Sequence, residues 1–98
     1  MVRASVNDDP LIKQLRQQIS DTDRSLVDAF NARLRLVARL KSYKESRGID
    51  FLDPEREERM LQDLTHANSG PLSEEGLKQL LQEILDLTKR EVQRGESR

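Results

Sequence analysis

Three cationic side chains interrupt an apolar row in the first part of the sequence. Arg16, Arg33 and Lys44 recur at spacings of three and four with a mainly apolar set: Ile12, Ile19, Asp23, Val27, Phe30, Val37 and Leu40. A cation buried without a partner is costly, so three along one predicted helix face need an explanation. The aliphatic part of each side chain could extend so that its charged group reaches solvent, or the charges could pair with carboxylates of neighbouring helices. They could also bind an anionic ligand.

Polar residues interrupt the apolar rows later in the sequence as well. Glu57 leads an apolar row with Arg56 beside it, and Thr88 follows the row Leu77, Leu81 and Ile84. A lone threonine on such a row more often bonds back to the carbonyl one turn earlier than to a ligand. Taken together, these positions predict a polar pocket built from facing helices, with more cations than carboxylates. Such a pocket favours a small polyanion whose carboxylates arginine can grip in bidentate fashion.

Proline and glycine divide the sequence into three predicted helices. Asp9-Pro10 and Asp53-Pro54 each place an N-cap before a proline at the first helical position. The first helix is expected from 11 to about 46, with Gly48 as a left-handed closing residue. The second runs to about 67, where "NSGP" breaks it, and the third runs from the Ser73 cap to about 93. Because no alternating strand pattern occurs, the fold class is predicted to be all-α.

The length of the first helix predicts an intertwined helical homodimer. About 36 residues at 1.5 Å each make a helix of about 54 Å, whereas a compact chain of this size has a radius of gyration near 13 Å. Two shorter helices of the same chain cannot cover it, and a second copy can. The alternative is a marginal monomer whose first helix frays. We expect one domain over residues 1–98, with 1–8 and 95–98 disordered.

Composition narrows the classes of function. Cysteine is absent, which excludes disulfides and zinc fingers, and the net charge of −1 with three aromatic residues argues against nucleic-acid binding. We find no apolar run long enough to span a membrane, so a cytoplasmic protein is expected. No metal or cofactor motif is evident, and His66 is interpreted as a surface residue.

The sequence resembles the AroQ-class, all-helical chorismate mutases over nearly its whole length. The resemblance rests on "LRQQISDTDRSLVDAFNARLRLVARLKSYKESRG", on "DPEREERML", and on the "GP" break before the last helix. It implies an isomerase that converts chorismate to prephenate in phenylalanine and tyrosine biosynthesis, without a cofactor. The family pattern matches at seven positions: Arg16, Arg33, Lys44, Asp53, Arg56, Glu57 and Thr88.

The resemblance also implies a role for each of these residues. Arg16 would cross the dimer into the partner's pocket, where it and Arg33 would hold the substrate carboxylates with help from Thr88. Lys44 would lie at the ether oxygen of the breaking bond. Glu57 would accept a hydrogen bond from the ring hydroxyl, in a wall completed by a pair of residues: Asp53 and Arg56.

One position departs from the family pattern, which places Gln or Glu four residues beyond the Thr88 position. This sequence has Val92 there, between Glu91 and Gln93. Either Gln93 substitutes, or a second donor to the ether oxygen is missing. The second case predicts a weak catalyst helped by an activating partner, such as the first enzyme of the aromatic pathway.

Two other functions compete with the mutase. An isochorismate-pyruvate lyase has the same fold and also works through a pocket lysine, but those lyases tend to lack the second Glu of "DPERE", which is Glu57 here. A non-catalytic helical dimerisation or adaptor module would leave the three cations of the first helix unexplained. An apolar face still exposed after dimer formation would favour that module.

Overall fold

The chain forms three α-helices in a computed structural model that describes residues 9–96. They are α1 (Pro10–Ser46), α2 (Pro54–Ala67) and α3 (Glu74–Glu96). No strand occurs among the described residues, and the prediction of an all-α fold with one very long helix is confirmed.

Part of the C-terminal segment that was expected to be disordered is helical. α3 continues through Gly95 to Glu96, so these two residues are helical. A single glycine near a helix end costs about 1 kcal/mol, too little to stop a helix that has no other breaker. The expectation of disorder at 1–8 and 97–98 lies outside the described residues.

Side-chain caps fix where each helix begins. The Asp9 carboxylate accepts hydrogen bonds from the backbone N–H groups of Leu11 and Ile12, at 2.8 and 3.3 Å. Asp53 accepts one from Arg56 N at 3.1 Å. Gly76 N donates to the Ser73 hydroxyl oxygen at 3.0 Å. These bonds satisfy N–H groups that lack a partner within the helix.

The end of α1 is a Schellman motif closed by Gly48. The Ile49 N–H donates to the Lys44 carbonyl at 2.8 Å, and the Gly48 N–H donates to the Glu45 carbonyl at 3.2 Å. Gly48 has φ +66°, the left-handed conformation that this motif requires at its closing residue. The motif reverses the chain immediately after the turn that carries Lys44.

The chain divides into two compact units at Arg33 and Leu34. In the first, the described residues are Asp9 and the part of α1 up to Arg33, and none is buried. Large apolar side chains recur along this stretch and are exposed: Leu11, Leu15, Ile19, Leu26 and Val27.

The second unit, from residue 34 onward, contains the buried core. Its buried side chains all come from α3: Leu77, Leu81, Thr88 and Val92. α2 packs on α3, with Met60 and Leu61 half-buried. Within the described residues, no helix is long and apolar enough to cross a membrane.

Candidate active site

Lys44 lies at the end of α1 and is held by the loop that follows. Its ammonium donates to the backbone carbonyl of Phe51 at 3.3 Å, in a half-buried setting. Lys44 also belongs to the last helical turn, where the helix dipole favours a cation. One N–H of the ammonium is therefore anchored to main chain. The two remaining N–H groups can donate to a ligand.

Glu57 lies in the first turn of α2 and forms an ion pair with α3. Its Oε1 is 3.3 Å from Nζ of Lys89, with 35% of the Glu57 side chain and 42% of the Lys89 side chain exposed. The position near the α2 N-terminus favours a carboxylate, because that end of the helix dipole is positive. The ion pair with Lys89 orients the Glu57 carboxylate.

Thr88 is the most deeply buried polar residue of the described chain, with 4% of its surface exposed. Its hydroxyl donates to the carbonyl of Ile84 at 2.5 Å, as expected for a threonine on an apolar helix row. A hydroxyl has a single proton to donate. Thr88 must therefore give up this bond if it is to donate to a substrate carboxylate.

Asp53 and Arg56 are joined by the α2 cap. The half-buried Asp53 carboxylate accepts the Arg56 N–H, and the Asp53 carbonyl accepts the Glu57 N–H at 3.2 Å. The Arg56 side chain is exposed. Asp53 therefore fixes the direction of the turn that carries Glu57, in addition to any contact with a ligand.

Arg16 and Arg33 belong to the first unit of the chain. Arg16 is exposed and Arg33 is half-buried. The five other predicted site residues lie in the second unit.

A cavity of about 250 Å³ in the second unit combines cationic, amide and apolar lining. It is lined by Lys41, Phe51, Leu52, Lys89, Val92 and Gln93. Phe51 connects this cavity to Lys44 through its carbonyl, and Lys89 connects it to Glu57. Val92 and Gln93 both line it from α3, so the Gln93 side chain reaches the cavity from a regular α-helix.

Two lysines of this region were not predicted from the sequence. Lys41 lies over the Phe51 ring, 5.5 Å from its centroid, and Lys89 pairs with Glu57. A signal for Lys89 was present: it follows Leu81 and Leu85 at intervals of four on α3. It therefore extends an apolar row toward the α2 carboxylate.

Lys44, Glu57 and Thr88 present an ammonium, a carboxylate and a hydroxyl from α1, α2 and α3. A model of the chorismate mutase type II family matches residues 15–93. The chain belongs to this family, so the predicted family and the all-α fold are confirmed.

Solved structures and a curated relative agree with this assignment. Chorismate mutase form I from Thermus thermophilus is 32% identical with a TM-score of 0.76, over 79% of this chain and 96% of that one. Form II from the same organism is 31% identical with a TM-score of 0.80, over 85% and 94%. The T-protein of Haemophilus influenzae is 41% identical over 51 residues, which are 52% of this chain and 14% of that protein. The chain therefore spans a small part of this curated relative.

Proposed function

We propose that the domain converts chorismate into prephenate, the step that family membership assigns to phenylalanine and tyrosine biosynthesis. The observation that supports this most directly is the Lys44 ammonium, half-buried and anchored to the Phe51 carbonyl. A fixed cation in a partly dry site stabilises negative charge that develops on an ether oxygen, and it needs no reorganisation during the reaction.

The chemistry of the rearrangement matches the residues that are present. A [3,3] shift breaks one C–O bond and forms one C–C bond within a single molecule, with no proton transfer and no covalent intermediate. The protein must hold the enolpyruvyl arm over the ring in a reactive geometry. It must also stabilise the transition-state charge. Cations and hydrogen-bonding groups fixed in place meet both requirements.

The remaining residues bind the substrate in this proposal. Arg33 and the partner subunit's Arg16 hold the two carboxylates, because a guanidinium fork fits a carboxylate in bidentate fashion. Thr88 assists one of these contacts. Glu57 accepts a hydrogen bond from the ring hydroxyl. Asp53 and Arg56 complete the pocket wall beside Glu57.

The proposed assembly is an intertwined homodimer. The exposed apolar residues of α1 before Arg33 support it, since each such side chain gains about 1.5–3 kcal/mol on full burial. A second copy of the same helix presents a matching row, as an isologous interface requires. Arg16 lies within this stretch and is carried to the partner's site by the same association.

Val92 supports a proposal about regulation. It places an apolar side chain where family members carry a second donor, and it is only 8% exposed beside the cavity. We propose a catalyst with low activity alone, raised by a partner such as the first enzyme of the aromatic pathway, which would order the end of α3 over the site.

The decisive experiment follows chorismate consumption and identifies the product. We expect prephenate from the wild type and a loss of about 10³-fold in Lys44→Ala, because the variant lacks the cation at the ether oxygen. Arg39→Ala removes an exposed cation of the same helix and serves as the control. Salicylate and pyruvate formed from isochorismate would instead establish the lyase. Absence of turnover and of chorismate binding would establish a non-catalytic module.

A further inference from the structure

The ion pair between Lys89 and Glu57 joins two helices. Lys41–Glu45, Arg59–Glu55 and Arg94–Glu91 are ion pairs between neighbouring turns of one helix. Lys89 Nζ instead reaches from α3 to Glu57 Oε1 on α2, over 3.3 Å. An ion pair between separate helices fixes the two side chains relative to each other, which a local pair cannot do.

The register of α2 against α3 explains why this pair forms. Glu57 begins the α2 row that continues with Leu61, and Lys89 ends the α3 row that passes through Leu81 and Leu85. A short connection, residues 68–73, makes the two helices antiparallel neighbours. Glu57, at the start of the α2 row, therefore lies beside Lys89, at the end of the α3 row.

We propose that Lys89 is a positioning residue that holds the Glu57 carboxylate in the orientation needed to accept the ring hydroxyl of the substrate. This inference rests on the proposed role of Glu57. The ion pair engages Oε1, so the other carboxylate oxygen, Oε2, accepts the hydrogen bond from the ring hydroxyl. Without Lys89, the carboxylate rotates about its terminal torsion, which has only broad preferences.

The partial exposure of the pair determines what its loss changes. Ion pairs this exposed contribute little to stability, because water screens the charges. The effect of Lys89 is therefore expected in substrate binding and hardly at all in folding. Because Glu57 holds the hydroxyl in the ground state and the transition state alike, KM should rise more than kcat falls.

A double-mutant cycle tests the proposal with steady-state chorismate kinetics. We expect Lys89→Met to lower kcat/KM about tenfold, mostly through KM, and Lys89→Arg to stay within about threefold of the wild type. In a Glu57→Gln background, Lys89→Met should cost less than about twofold, because the positioned carboxylate is already gone. Arg90→Met removes an exposed cation from the next position of α3 and should leave the kinetics unchanged.

The outcomes separate this inference from the mutase proposal. Equal losses from Lys89→Met with and without Glu57 would show that Lys89 acts on the substrate directly, and would overturn the positioning role. Unchanged kinetics in Lys89→Met would overturn it as well. An inactive wild type would overturn both proposals, whereas an active wild type with an uncoupled pair overturns only this one. Thermal melts of each variant separate a loss of fold from a loss of positioning.

Discussion

The stretch of α1 before Arg33 and the chain that follows it differ in what covers their apolar side chains. Leu26 and Val27 in the first unit are 64% and 59% exposed. In the second unit, Leu77 and Leu81 of α3 are 7% and 6% exposed, although Leu36 of α1 is as exposed as the first unit at 62%. Both regions have apolar rows at helical spacing, so sequence pattern alone does not distinguish them. The difference lies in whether other helices of the same chain bury these apolar side chains.

This contrast indicates that the two regions owe their stability to different sources. The second unit has its own core, built from α3 with α2 packed on it. The first has a helix whose apolar row gains its burial from another molecule under the dimer proposal. Since a domain is stable by only about 5–15 kcal/mol, burial of five such side chains is large on that scale.

Complementation between inactive variants is the strongest test of the contrast. Arg16→Ala and Lys44→Ala should each lose about 10²–10³ in rate. When the two are unfolded together and refolded, half of the dimers are mixed, and each mixed dimer has one site with both native residues. About a quarter of wild-type activity should return. If activity stays at the level of the separate variants, Arg16 does not act across the dimer.

A charge placed on the exposed row tests whether that row is covered in solution. Ile19→Lys should abolish the dimer and reduce activity by more than about tenfold, because a lysine would be buried without a partner. Sedimentation equilibrium measures the assembly, and Gln17→Lys, an exposed position of the same helix, is the control. An unchanged mass and activity would show that the row faces water, where substitutions cost less than about 0.5 kcal/mol.

Substitutions at Val92 and Gln93 test whether the second unit supplies a second hydrogen-bond donor to the ether oxygen. If the donor is missing, Val92→Gln should raise kcat at least about tenfold, since one such donor contributes about 10²–10³. If Gln93 already supplies it from the shared cavity, Gln93→Ala should lose a similar factor and Val92→Gln should gain nothing. The two kinetic measurements therefore discriminate between the alternatives left open by the sequence.

Substitution of two glycines is expected to change the free energy of unfolding by the smallest amounts, with opposite signs. Gly48 has φ +66°, and an added Cβ would meet nothing within 4 Å. Gly48→Ala should therefore destabilise by about 1–2 kcal/mol through backbone strain alone. Gly95 is helical and has equally open space, so Gly95→Ala should stabilise by about 0.5–1 kcal/mol. Thermal unfolding measures both, and a melting temperature that falls in both variants would contradict the conformational explanation.

Much of the fold could be predicted because its signals are local. Asp9, Asp53, Ser73 and Gly48 mark helix ends through hydrogen bonds within a few residues, so the sequence is sufficient. The Thr88 bond to Ile84 is local in the same way. The pattern of polar residues on apolar rows indicated most of the seven site residues, whereas their roles came from the resemblance, and their geometry toward a substrate remains a prediction.

What could not be predicted depends on the approach of separate helices. The partner of Lys89 cannot be read from a single helix row, because the ion pair depends on the register of α2 against α3. Lys41 was missed for a similar reason, since its ring contact comes from Phe51 in a loop. No local pattern specifies which side chains face each other across a turn.

The anchor of Lys44 has a consequence for how the connecting segment tolerates change. The ammonium bonds to the main-chain oxygen of residue 51 and not to a side chain. Many different sequences between Gly48 and Asp53 can therefore present the same acceptor, as long as the number of residues is kept. Adding or deleting one residue would bring a different peptide group to the ammonium. For the Lys44 anchor, the length of this segment is the constrained property, whereas the side chains of Phe51 and Leu52 are constrained separately as lining of the cavity.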